Sequence, residues 1–152
     1  MGKFSVKNLN KFLFFKLPSA YLSGIRVTSI NEKEAMASVK YKWINQNPFK
    51  SMYWATQGMA SELVTGILLM KKIAQSNKKI SMLVISQNGE FYKKATGKIT
   101  FICKEGEIIN EVIKTAISTG EGQILKLTAE GFNEEFEPVS KFEYTWSIKL
   151  KS

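Results

Sequence analysis

Histidine is missing from this 152-residue chain, and cysteine occurs once, at Cys103. The first absence excludes Ser-His-Asp and Cys-His machinery, histidine zinc sites and histidine proton shuttles. The second excludes an intrachain disulfide or a cysteine metal cluster. Acid–base chemistry is left to carboxylates, lysine, tyrosine, or backbone dipoles acting on water. Arginine is almost as scarce. Arg26 is the only one among 22 basic residues, which outnumber 13 acidic ones and set a net charge of +9. Base and phosphate recognition favours the bidentate fork of arginine, so a lysine-borne excess argues against a nucleic-acid partner. A general attraction to anionic ligands stays open.

With three prolines and no Pro/Gly/Ser tract, repeat or low-complexity stretch, the chain has no linker and reads as one domain over 1–152. Long hydrophobic runs are lacking too. Phe12-Leu13-Phe14-Phe15 is interrupted by Lys16 and Pro18, too early for a secretory core. Met1-Gly2 would suit myristoylation, but Val6 stands where that motif needs Ser or Thr. Ser51 to Met70 has spanning length yet contains Gln57, Gly58, Glu62 and several hydroxyls, so it reads as a buried helix. The expectation is a soluble cytoplasmic protein without a membrane span. A basic RNA- or membrane-surface-associated protein is a competing class, resting on net charge alone.

The stretch Asn47 to Gly66 is the most informative segment present. It reads as a loop opening into a helix from about Ser51 to about Gln75, with Glu62 as its one carboxylate before a basic end at Lys71 and Lys72. Ser51, Ala55, Gly58, Ser61, Glu62 and Thr65 share one helical face, and Met52, Met59, Leu63, Ile67 and Met70 another. Gly58 and Gly66 flank Glu62, predicting a trough open to a substrate or a second backbone. Two interior glycines cost roughly 1 kcal/mol each relative to alanine, so something must compensate.

Elsewhere, Asn8 is expected to cap a short helix ending at Lys16, near Pro18. Ile25–Ile30 and Ala35–Trp43 read as a hairpin, and Ile80–Ser86 as a buried central strand. Period-two alternation marks three more strands, at Gly97–Lys104, around Leu125–Glu130, and at Lys141–Leu150. An apolar stripe from Ile108 to Ile117 marks a second helix, ended by Gly120. One long apolar helix among strands of period two predicts an α+β architecture, an antiparallel sheet wrapped around a central helix.

On this order of elements and the Asn47–Glu62 segment, the chain resembles the hotdog-fold acyl-CoA thioesterase superfamily. It is most similar to a branch known only as a domain of unknown function. In phenylacetyl-CoA-type thioesterases the segment holds an asparagine, a His-Gly-Gly at the helix start, and an acid deeper in the helix. Counting back from Glu62, Tyr53 falls on the histidine, Trp54 and Ala55 on the glycines, and Asn47 on the asparagine. The resemblance implies a hotdog homodimer or tetramer, a coenzyme A thioester as substrate, and no metal or cofactor. It also implies that Glu62 activates water and that the backbone N–H of Trp54 polarises the thioester oxygen.

Each candidate has a plainer reading. Glu62 serves equally as a structural carboxylate at a subunit interface. Asn47, implied to orient water or carbonyl, precedes Pro48 and is an ordinary turn former. Tyr53 reads as packing or as a donor to the thioester oxygen. Ser81 lies near a position where some relatives hold the attacking water with a hydroxyl. Lys93, Lys94 and Lys98 face either coenzyme A phosphates or solvent. The methionines of the helix line an acyl tunnel or fill the core. A non-catalytic acyl or acyl-CoA binding protein on the same fold is the alternative function, with activity lost through Tyr53 and Trp54.

Overall fold

The computed structural model describes residues 2–152. Helix α1 (Val6–Lys16) starts at Ser5, whose Oγ accepts the Asn8 N–H at 3.2 Å. Ser5 therefore takes the capping role expected of Asn8. Pro18, unable to continue α1, opens the short helix α2 (Pro18–Leu22) instead. A hairpin follows, β1 (Arg26–Ile30) and β2 (Ala35–Lys40), turned by Asn31, whose Oδ1 accepts the N–H groups of Lys33 and Glu34. The second strand is shorter than expected. Trp43 lies in a 3-10 turn (Trp43–Asn45) and is 82% exposed, so its place in the alternation is coincidental.

Helix α3 (Trp54–Gln75) begins three residues later than expected. It is followed by β3 (Ile80–Phe91), β4 (Lys98–Cys103), α4 (Gly106–Thr119), β5 (Gln123–Phe132) and β6 (Pro138–Leu150). Gly120, at φ 73°, supplies the left-handed residue that ends α4. Gly106 starts α4 where only glycine fits, since a Cβ there would sit 2.2 Å from the Glu32 carbonyl oxygen.

The six strands form one antiparallel sheet in the order β1-β2-β4-β5-β6-β3. Against it lies α3, whose Leu63, Val64, Ile67 and Leu68 join Ile99, Phe101, Leu127 and Phe142 in one core. The α4 helix packs beside α3 and onto β5. This is the hotdog arrangement, with one difference from expectation. The apolar run Ile80–Ser86 is on the outermost strand, not a central one, and Leu83 and Ile85 are 65% and 50% exposed.

Two further features bear on stability. Glu32, in the β1–β2 turn, accepts hydrogen bonds from the ammonium groups of Lys71 and Lys72 and from Gln75 Nε2. These contacts, with Lys71 foremost, pull its carboxyl down to about 2. Cys103, at the end of β4, is buried, and burial pushes its thiol up to about 12.

Candidate functional site

The start of α3 is set by the loop before it. Asn47 Oδ1 accepts the N–H groups of Phe49 (2.8 Å) and Ser51 (3.2 Å), and its Nδ2 donates to Ser51 Oγ (3.0 Å) and the Met52 carbonyl (3.3 Å). Met52 N–H then bonds the Ala95 carbonyl and Tyr53 N–H the Asn45 carbonyl, both at 2.8 Å. The chain is thus delivered rigidly into the helix at Tyr53, in extended conformation. This closure explains the late start: Ser51 and Met52 are buried, but as loop residues.

No side chain of the described residues caps α3. Among the described residues, the N–H groups of Trp54 and Ala55 meet no acceptor. They form the positive end of a 22-residue helix, suited to receive negative charge. A cleft of about 440 Å³ adjoins it, walled by Asn47, Tyr53, Trp54 and Gln57 on one side and by Phe91 to Lys94 on the other. Five of the residues nominated from sequence, Asn47, Tyr53, Trp54, Lys93 and Lys94, therefore come together. Lys93 is paired with Glu137 at 2.7 Å, and Lys94 Nζ donates to the Phe49 carbonyl at 3.1 Å.

Lys98 and Ser81 stand apart from this cleft. The Lys98 N–H bonds Glu134 Oε1 at 3.0 Å, and Ser81 Oγ donates to the Lys149 carbonyl at 3.2 Å. Trp54 does not fill the cleft completely. Its indole folds along α3 over Gly58, where an added Cβ would meet the ring at 3.7 Å.

Glu62 lines a different, smaller cleft of about 210 Å³, with Met59 and the Lys16–Ala20 turn. Its carboxylate has no hydrogen-bond partner among the described residues, and burial pushes its pKa above the ordinary carboxylate value. The flanking glycines do not form an open trough. Trp54 covers Gly58, and Trp146 lies 3.5 Å from where a Gly66 Cβ would be. This aromatic packing compensates for the two glycines. The same helical face is pinned to β6 by polar contacts: Ser61 Oγ and Tyr144 Oη lie 2.7 Å apart, Tyr144 Oη donates to the Gly58 carbonyl at 2.9 Å, and Trp146 Nε1 donates to Thr65 Oγ1 at 3.0 Å. Burial, aided by the Glu62 charge and opposed by the Ser61 bond, pushes the Tyr144 phenol up to about 12, so it stays neutral beside Glu62.

Sequence reading missed Gln57 and Tyr144. Gln57 is buried in the cleft wall, and its Oε1 has no hydrogen-bond partner among the described residues. A large polar side chain next to the apolar face of the helix was the available signal, as was an inward tyrosine whose hydroxyl needs a partner.

A family model described as Domain of unknown function (DUF4442) matches residues 7–148. The chain belongs to that family. No curated protein matches it. Among solved structures, it is similar to a Pseudomonas aeruginosa protein of unknown function, PA5026, described as a probable thioesterase. The TM-score is 0.82 at 18% identity, over 95% of this chain and 96% of that one. The thioesterase HI1161 of Haemophilus influenzae gives 0.73 at 16% identity, over 98% and 93%. A Staphylococcus aureus thioesterase, SAV0944, gives 0.68 at 12% identity, over 87% and 98%. These neighbours are thioesterase-like hotdog proteins, and at such identities the likeness is one of fold.

Proposed function

We propose that the DUF4442 chain hydrolyses acyl-CoA thioesters, with Glu62 as general base. The observation that carries this reading is a half-buried carboxylate, without a partner among the described residues, on the helix whose own first N–H groups also have none there. Glu62 takes a proton from water, the water oxygen attacks the thioester carbon, and the Trp54 and Ala55 N–H groups receive the developing oxyanion. The C–S bond then breaks, Glu62 passes its proton to the departing sulfur, and the coenzyme A thiol and the carboxylic acid leave with Glu62 ionised again. Asn47 fixes the loop that aims these donors, and Lys93 and Lys94 meet the coenzyme A phosphates at the mouth. Two structures of the staphylococcal protein carry alanine at a glutamine and at a glutamate fifteen positions further on, the spacing of Asn47 and Glu62 here. Such substrates place the work in the cytoplasm.

One protomer is insufficient for this chemistry. Trp54 and Glu62 are eight positions apart on one helix, so their Cα atoms lie about 12 Å apart, and the two groups line separate clefts. A homodimer in which Glu62 of one copy meets the helix start of the other resolves this. Strand β3 suits the contact: it is 12 residues long, at the sheet edge, apolar in its first half, and charged only at Glu90. An edge so unprotected invites a second strand, and Phe91 at its end borders the larger cleft. Sedimentation at micromolar concentration should give at least twice the chain mass, and a monomer would overturn the shared site.

The deciding assay is thiol release from a panel of short, aryl and long-chain acyl-CoAs. Turnover of at least one is expected. Tight binding without turnover would replace hydrolysis with the non-catalytic acyl-CoA binder.

A further inference from the structure

The α1–α2 corner carries a surface that the proposed hydrolysis does not use. No carboxylate precedes Glu32 in the sequence, whereas Lys3, Lys7, Lys11, Lys16 and Arg26 do. On α1, Leu9 and Leu13 are buried. The opposite face presents Lys7, Lys11, Phe14 and Phe15, at helical spacings of four, three and one. Phe15 is 73% exposed and Leu22, at the end of α2, 65%, with Phe14 and Leu17 also exposed. Among the described residues, none of these four cations on or beside the corner (Lys7, Lys11, Lys16, Arg26) forms an ion pair.

Between the helices and β1 lies a cleft of about 350 Å³ walled by Lys7, Lys11, Arg26, Phe14, Phe15 and Tyr21. Arg26 is held in place there. Its Nη1 donates to the Tyr21 and Ile25 carbonyls at 2.8 and 2.7 Å, and its guanidinium lies 3.5 Å from the Tyr21 ring centroid. The rest of the guanidinium fork makes no protein hydrogen bond among the described residues.

We propose that this corner docks on an anionic phospholipid surface, with lipid phosphate in the Lys7–Lys11–Arg26 cleft and Phe14, Phe15, Leu17 and Leu22 in the acyl boundary. Large apolar side chains interleaved with unpaired cations on a short amphipathic element are the composition of an interfacial anchor. Among the described residues no helix is long and apolar enough to cross a membrane, and the contact proposed is a peripheral one. A second copy fits this surface poorly, because a symmetric contact would set the same carboxylate-free cationic patch against itself. RNA has no use for the exposed leucines.

Co-sedimentation of the full chain with phosphatidylcholine vesicles, with and without phosphatidylglycerol, tests this directly. Binding should require phosphatidylglycerol. Lys7→Gln/Lys11→Gln, two exposed changes, should weaken it by about 25-fold, roughly fivefold per cation. Phe14→Ser/Phe15→Ser should weaken it as strongly without changing the sedimentation mass. Absence of binding, or equal binding to both vesicles, would overturn the proposal. So would a change of mass in the phenylalanine variant, which would assign the face to a second copy. Equal affinity for free inorganic phosphate, or RNA binding lost in the lysine variant without vesicle binding, would likewise replace the lipid surface.

Discussion

The two ends of α3 are built on opposite plans. At its C-terminus, Lys71, Lys72 and Gln75 converge on Glu32, and Ser76 Oγ closes back on the Ile73 carbonyl at 2.6 Å. At its N-terminus, among the described residues, nothing caps the helix and two N–H groups meet no acceptor, and half-exposed aromatic rings border a cleft. Helix ends left unsatisfied cost stability, so the contrast separates an end that anchors the helix from the end to which the proposed hydrolysis assigns the oxyanion.

That division is broken most severely at Glu62. Glu62→Gln keeps size and hydrogen bonding but cannot take a proton, and kcat should fall about 10²–10⁴-fold. Stability should move the other way. Burial raises the Glu62 pKa, so its protonated form fits the fold better than its ionised form. The stability it confers is full below the ordinary 4.5 and is lost as pH rises through the raised native value. Glu62→Gln should therefore melt higher than the parent chain at neutral pH, and the acidic limb of the parent's rate profile should lie above the ordinary carboxylate range. A variant with full activity would remove the carboxylate from the mechanism.

The uncapped end is tested next. Proline is accepted at the first helical position, and it lacks the N–H. Trp54→Pro should cost about 10²–10³ in kcat, the scale of one oxyanion donor, whereas Trp54→Ala, which keeps the N–H, should cost far less. Equal losses in the two would show that the indole, not the amide, matters.

At the anchored end, Glu32→Gln leaves the buried Lys72 ammonium without its counter-charge. Denaturant titration should show a loss of about 1–3 kcal/mol, with activity per folded molecule retained. Glu32 is itself largely exposed, so solvent screening sets the lower part of that range. Because its native pKa is depressed, the parent chain should lose this stabilisation between 4.5 and about 2 as pH falls, and the variant should not. Tyr53→Phe should cost kcat far less than Glu62→Gln, since the oxyanion donors of the proposed mechanism are backbone N–H groups.

What could be read from the sequence follows the reach of each signal. Periodicity located β5, β6 and α4 because each turns one face to the core, as the buried Leu125, Leu127, Phe142 and Trp146 show. It misplaced β3, because an apolar run states only that something covers it. At Ile80–Ser86 the protomer's own core takes Ile80, Met82 and Val84 but leaves Leu83 and Ile85 uncovered. Capping rules failed at Asn8, which donates its N–H to Ser5, and at the start of α3, where Asn47 organises a loop that no helical period describes. The carboxylate at Glu62 and the cleft residues from Asn47 to Trp54 were legible through the family resemblance. Their separation into two clefts was not, since it depends on how the Lys16–Ala20 turn folds over Glu62, a contact across more than forty residues. The Glu32 anchor escaped for the same reason.

One buried atom offers a different use of the molecule. Cys103 is the only thiol, it is fully enclosed, and its proton is held to about 12. An alkylating reagent at neutral pH finds almost no thiolate in the folded chain, and one thiol of ordinary acidity in each chain that opens. The rate of labelling therefore counts unfolding events molecule by molecule. Every substitution made to compare the two ends of α3 carries its own clock, with no probe to be added.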